Sequence, residues 1–224
     1  MRAFFMTATG TDIGKTYLAC GLIRAWRGQG LRVSAFKPVL SGFDPAKAAD
    51  SDAGQLLSAL DQPISPQALD AISPWRYAAP LSPDAAAAKE GKRVKYDAVL
   101  AASRRFLDSP HDLALIEGAG GVMAPLSDDR TMLDWMADLN VLAILVTGSY
   151  LGTLSHTLTA LEVLAARRVP VALVVMNETP GSTVPLAENA AALARRWPAA
   201  PLRALPRSAS PQAMAAIAEF LMAG

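Results

Sequence analysis

Cysteine is almost missing from this chain: Cys20 stands alone among 224 residues, which excludes any intramolecular disulfide. Its place inside a helical pattern suits a small buried apolar side chain better than a reactive thiol. Histidine is also scarce, with His111 and His156 far apart and neither set in a metal-ligand pattern. His156 follows Gly152-Thr153-Leu154-Ser155 at a helix start and could face a substrate or partner, with a surface or core histidine as the ordinary alternative. Neither sign of charge is in excess, since 21 basic residues meet 20 acidic ones, so no overall field draws nucleic acid or an anionic membrane. No apolar run approaches membrane-spanning length, and Ala3-Phe4-Phe5-Met6 passes straight into a loop without room for a signal peptide. The expectation is a soluble cytoplasmic protein whose 52% hydrophobic residues build a substantial core in one domain, residues 1–224.

Short, continuously apolar runs recur at Ala3 to Met6, Val33 to Phe36, Leu113 to Ile116, Val141 to Val146 and Val171 to Val175, with a further strand at Leu202 to Leu205. Such runs suit strands buried on both faces. Between them lie helical patterns at about Lys15 to Arg27, Ser51 to Leu60, Ser82 to Glu90, Tyr96 to Leu107, Leu151 to Arg168, Ser182 to Arg196 and Pro211 to Met222. This alternation predicts an α/β fold: a doubly wound, mainly parallel sheet with helices on both faces. The proline-rich stretch from Gln62 to Pro83 reads as an excursion within the same domain, because strand-helix alternation resumes after it.

The densest chemical signal is Thr9-Gly10-Thr11-Asp12-Ile13-Gly14-Lys15-Thr16, set between the first strand and the first helix. Backbone N–H groups of such a loop can surround phosphate oxygens, and the following helix N-terminus adds its partial positive charge. Lys15 can reach β and γ phosphates, and Thr16 can ligate Mg²⁺. Thr9 occupies the position where the usual pattern has its first glycine, and Gly10 comes one residue later. A loop that merely turns a strand into a helix is the bland alternative.

In open α/β sheets ligands bind beyond the carboxyl ends of the strands, so the residues following each apolar run form a set. The second strand is followed by Lys37-Pro38-Val39-Leu40-Ser41-Gly42, where Lys37 could direct a second cation at phosphate, or simply close the strand as a surface lysine. The third leads into Glu117-Gly118-Ala119-Gly120-Gly121, a hard carboxylate opening a glycine-rich turn. Asp52 is the second carboxylate in reach, although acidic residues at a helix start also serve its N-terminus. After the fifth strand, the amide of Asn177 could donate to and accept from a purine edge, or serve a turn ahead of Pro180.

Taken together, the loop, Lys37-Pro38-Val39-Leu40-Ser41-Gly42, Ser51-Asp52-Ala53 and Glu117-Gly118-Ala119-Gly120-Gly121 resemble the dethiobiotin synthetase family in order and spacing. Pro80-Leu81-Ser82-Pro83, Pro125-Leu126-Ser127-Asp128, Leu151-Gly152 and Asn177 extend the resemblance to about Pro206. It implies a P-loop NTPase fold and ATP-dependent closure of a cyclic urea, in which 7,8-diaminopelargonate, CO₂ and ATP give dethiobiotin, ADP and phosphate. It also implies site roles. Lys37 and Lys15 resemble the catalytic cations; Asp12, Ile13, Gly14, Lys15, Thr16 and Tyr17 the phosphate-binding segment; Thr16, Asp52 and Glu117 the Mg²⁺ ligands. Glu117, Gly118, Ala119 and Gly120 fall on the nucleotide-binding turn, while Asn177, Leu205 and Pro206 resemble adenine contacts. Thr11 and Ser41 match substrate contacts, and Leu151, Gly152, Thr153 and Ser155 match a segment that meets the substrate carboxylate across a homodimer interface. The chain departs from the family where Ala8, Gly10 and Asp12 stand in the loop, Asp84 follows Ser82-Pro83, and Tyr150 precedes Leu151-Gly152.

Two other readings fit parts of the pattern. A related P-loop ligase would share the loop and act on a different amine or carboxylate. A nucleotide-switched partition or membrane-positioning ATPase would bind rather than synthesise, but no lysine lies between Thr7 and Gly14, and Pro211 to Met222 contains no Lys or Arg to make a basic membrane helix.

Overall fold

A computed structural model describes residues 2–223. Its strands are β1 (Arg2–Ala8), β2 (Val33–Phe36), β3 (Val39–Ser41), β4 (Trp75–Tyr77), β5 (Leu113–Glu117), β6 (Leu142–Gly148), β7 (Val171–Asn177) and β8 (Leu202–Leu205). Six of them form one parallel sheet in the order β2-β5-β1-β6-β7-β8, and β3 pairs with β4 in a separate short parallel ladder. The helices are α1 (Lys15–Gly28), α2 (Asp52–Ala59), α3 (Pro66–Ile72), α4 (Pro83–Lys89), α5 (Tyr96–Leu107), α6 (Met132–Leu139), α7 (Thr153–Ala166), α8 (Leu186–Arg196) and α9 (Pro211–Ala223).

The two-residue period of a strand divides β1 between two cores. Phe4, Met6 and Ala8 face a cluster built with Leu22, Ile23 and Trp26 of α1 and Ile217 and Leu221 of α9. Phe5 points the other way, into a cluster with Trp135 and Met136 of α6 and Leu161 and Leu164 of α7. Phe4 stacks on Trp26 at 6.0 Å, and Phe5 meets Trp135 edge-on at 4.7 Å. Trp26 Nε1 donates to the Ala218 carbonyl across 3.1 Å, which fixes α9 on α1 without leaving the buried indole N–H unpaired. Burying each of these rings contributes roughly 1.5–3 kcal/mol. The doubly wound α/β architecture expected from the apolar runs is therefore present, with helices on both faces. No described helix is long and apolar enough to cross a membrane.

Several boundaries differ from the sequence expectation for local reasons. The helix expected from Ser182 begins at Leu186, because the Ser182 hydroxyl donates to the carbonyls of Ser149 and Val184 and holds a turn ahead of Pro185. The helix expected from Leu151 begins at Thr153, after Gly152 takes φ 96° at its N-cap. Helix α6 was not anticipated, although Thr131 and Asp134 form a reciprocal capping box at its start. The stretch from Gln62 to Pro83 carries α3 and β4.

Candidate functional site

The site begins with strand register. Phe36 of β2 lies opposite Ile116 of β5, so the next residues, Lys37 and Glu117, emerge side by side at the carboxyl ends of two parallel neighbours. Lys37 Nζ lies 2.6 Å from Glu117 Oε1 and 2.6 Å from Asp52 Oδ2. Asp52 reaches this point from the first turn of α2, whose N-cap is Ser51, with its hydroxyl accepting from Gly54 N at 3.1 Å. Thr16 Oγ1, from the first turn of α1, donates to the same Glu117 Oε1 at 2.7 Å. Four sequence-derived candidates thus meet within hydrogen-bonding distance.

Burial sets the electrostatics of this group. It opposes charge on Lys37, but Glu117 and then Asp52 outweigh it and raise the ammonium above its usual pKa. Burial likewise opposes ionisation of Asp52, yet Lys37 reverses the balance and holds the carboxyl below its ordinary range. Lys15 has no carboxylate in direct contact, and burial followed by repulsion from Lys37 pulls it down to about 8. Its Nζ donates to the carbonyls of Gly10 at 3.1 Å and Gly120 at 2.8 Å, closing the phosphate loop against the turn after β5. Cys20, behind this group in α1, is buried and free, and burial pushes its thiol up to about 12.

The loop path accounts for its unusual glycine spacing. Left-handed backbone occurs at Asp12, with φ 56°, and at Gly14, with φ 92°, but not at Thr9. A side chain at Thr9 therefore meets no backbone penalty. The close approach is supplied from the other side: a Cβ on Gly121 would lie 3.2 Å from the backbone of Thr9 and Gly10.

Thr11, Asp12, Gly14, Lys15, Thr16, Tyr17, Lys37, Ser41, Asp52, Ala119 and Gly120 line one cavity of about 790 Å³. Glu117 lies beneath its floor, 1% exposed. A cavity of about 280 Å³ adjoins it through Asp12, Gly14 and Tyr17 and brings in Ile13, Asn177, Leu205 and Pro206. Asn177 Nδ2 donates to the Ile13 carbonyl at 2.7 Å, and its Oδ1 is buried without a partner. Gly118 packs under the sheet end, where a Cβ would come within 2.8 Å of the Phe5 ring.

Leu151 and Gly152 stand apart, lining a separate cavity of about 600 Å³ with Arg195 and Glu188. Thr153 is buried there and Ser155 is exposed. His156 Nδ1 lies 2.8 Å from the Tyr150 hydroxyl, and His111 is buried against Phe106, so neither histidine lines the main cavity. The structure adds an apolar wall that the sequence reading left without a role: Leu40, Pro80, Leu81, Pro83 and Ala124. It also adds a chain of hydroxyls, in which Thr147 lies 3.3 Å from Thr9, 2.9 Å from Thr153 and 2.7 Å from Thr157.

Comparison with known proteins gives the family and the fold. The AAA domain family profile matches residues 2–215. An ATP-dependent dethiobiotin synthetase of Phenylobacterium zucineum is 46% identical over 225 aligned residues, covering all of this chain and 96% of the relative. One from Caulobacter sp. strain K31 is 49% identical over 224, covering 100% and 95%. Among solved structures, the MinD cell division protein of Aquifex aeolicus aligns with a TM-score of 0.62 at 12% identity over 100% of this chain and 98% of its own. Pyrococcus furiosus MinD gives 0.60 at 16% identity over 100% and 99%. At that identity the likeness is one of fold. The near-complete coverage by sequence relatives goes further: the chain belongs to the dethiobiotin synthetase family.

Proposed function

We propose that this protein is an ATP-dependent dethiobiotin synthetase, closing the cyclic urea of dethiobiotin from 7,8-diaminopelargonate, CO₂ and ATP. The observation that carries the reading is the convergence of Lys15, Lys37, Thr11 and Ser41 on a cavity that Leu40, Pro80, Leu81, Pro83 and Ala124 also line. A substrate with an alkyl chain and two amines needs both kinds of lining. One amine captures CO₂ as a carbamate and releases a proton. A carbamate oxygen attacks the γ-phosphorus as the bond to ADP breaks, and the second amine then attacks the carbonyl carbon and expels phosphate. Negative charge develops on carbamate and phosphate oxygens, and Lys15 and Lys37 both line the cavity, so the chain contributes chiefly alignment and positive charge.

Thr16, Asp52 and Glu117 fit Mg²⁺. They offer hard oxygens, and Glu117 Oε2 is buried with no protein partner. Among the described residues no group of three or more His, Cys, Asp or Glu side chains forms a cage, so phosphate oxygens and water would complete the shell. When bound, Mg²⁺ supplies charge stabilisation on the phosphates. Ser41 Oγ, buried and unpartnered, suits the carbamate or an amine, and Asn177 Oδ1 with Leu205 and Pro206 suits the adenine. Leu151, 80% exposed beside the N-terminus of α7, supports a homodimer in which Leu151, Gly152, Thr153 and Ser155 meet the substrate carboxylate.

The test is product formation. Purified protein with Mg²⁺, ATP, bicarbonate and diaminopelargonate should release phosphate only when the diamine is present and yield dethiobiotin by mass. Phosphate release without that product defeats the assignment and points to a different amine.

A further inference from the structure

A lysine that acts on transferring phosphate needs its charge free, yet Lys37, at the wall of the main cavity, already holds two carboxylates. Its side chain is 3% exposed, and its Nζ bridges Asp52 Oδ2 and Glu117 Oε1 at 2.6 Å each, with Gly118 O at 3.4 Å. Lys37 is the one cationic partner of either carboxylate among the described residues. Glu117 depends on it most, because a carboxylate buried this deeply is costly without a counter-charge. These are the two carboxylates a divalent cation would need, and Glu117 Oε2 is the oxygen left without a protein partner. Glu117 Oε1 is already occupied twice, by Lys37 and by the Thr16 hydroxyl. An ammonium on Oε1 and a divalent ion on Oε2, both held against the same pair of carboxylates, repel strongly in a buried setting.

We propose that Lys37 is the resident counter-cation of the Asp52–Glu117 pair and exchanges places with the divalent metal, so that metal binds tightly only together with a phosphate that receives the lysine. The same movement that admits the metal delivers Lys37 to the phosphoryl group. Loading of metal and arming of the lysine become one event, and metal alone is held off. This rests on the ATP and Mg²⁺ roles proposed above.

Mn²⁺ titrated without nucleotide, with free ion followed by electron paramagnetic resonance, tests the exchange. Lys37→Met should bind Mn²⁺ at least about tenfold more tightly than the unaltered protein. Lys15→Met removes a neighbouring cation that bonds carbonyls instead of carboxylates, and should raise affinity by clearly less than Lys37→Met does. Equal Mn²⁺ affinity in Lys37→Met and the unaltered protein overturns the proposal, as does an equal gain in Lys15→Met. If Lys37→Met folds only when Mn²⁺ is present, the ion has replaced the ammonium and the proposal stands; if it folds in neither condition, the exchange is refuted. Dethiobiotin formation with no Lys37-dependent change in Mn²⁺ binding would refute the exchange and leave the reaction intact, whereas the converse would refute the reaction alone.

Discussion

Asn177 Nδ2 donates to the Ile13 carbonyl across 2.7 Å, tying the end of β7 to the middle of the phosphate loop. The amide therefore shapes the loop before it touches any base. Asn177→Ala should weaken ADP binding about tenfold, the loss of roughly one hydrogen bond plus an unpaired buried carbonyl. Asn177→Asp should weaken it further by setting a carboxylate against that carbonyl. Calorimetric titration of ADP checks both, and unchanged affinity in the alanine variant would remove Asn177 from the loop and from the adenine site.

Gly14 faces the same amide from inside the loop. A Cβ there would lie 2.5 Å from Asn177 Nδ2, at φ 92°. Gly14→Ala combines that clash with a left-handed backbone costing about 1–2 kcal/mol for an L-residue. Nucleotide binding should fall more than tenfold, on the order of 1.4 kcal/mol, while the midpoint of unfolding falls only a few degrees. A normal ADP affinity would show that the loop tolerates a different path.

Lys37→Ala should lower turnover at least about tenfold if the ammonium stabilises phosphoryl transfer. It should also lower the stability of the metal-free protein by about 3 kcal/mol, because Glu117 loses its buried partner. For a chain of this size that is roughly a 6–12 °C fall in Tm. Thermal scans in chelator, beside steady-state phosphate release, separate the two effects. Full turnover would return Lys37 to a purely structural place at the end of β2.

Much of this site was legible because it lies at strand ends. Lys37 and Glu117 each follow an apolar run, and parallel register then sets them side by side. Asp52 was harder to read, since its place in the first turn of α2 also suits the helix dipole and only the tertiary contact with Lys37 decides. The wall of Pro80, Leu81 and Pro83 carries no local signal of its role, because it faces the cavity only once β4 and α4 fold against β3. The Asn177 tie to Ile13 was illegible for the same reason, joining residues from opposite ends of the sequence. Helix α6 was readable in principle from Thr131 and Asp134, but eight residues between glycine-rich and apolar segments gave a weak period.

Away from the site, Asp112, just before β5, pairs with Arg32 at the amino ends of the strands and responds to acid. The Arg32 side chain and then its backbone N–H hold the Asp112 pKa at about 2. A depressed folded value means that the pair stabilises the fold above the unfolded carboxyl pKa of about 3.9 and that this contribution is lost as pH falls toward 2. Asp112→Asn should therefore be less stable than the unaltered protein at neutral pH, with the difference shrinking between about pH 4 and pH 2. Urea unfolding across that range checks it, and a constant difference from pH 6 to pH 3 would assign the effect to something other than ionisation.

Carbamate phosphorylation has one atomic signature. Because a carbamate oxygen attacks the γ-phosphorus and leaves with it, an oxygen that entered as CO₂ departs in phosphate. Single turnover with freshly dissolved ¹⁸O-labelled CO₂, ATP, Mg²⁺ and diaminopelargonate should place one label in the phosphate formed and one in the ureido carbonyl of dethiobiotin. Phosphate carrying only unlabelled oxygen, formed alongside labelled dethiobiotin, would contradict the pathway.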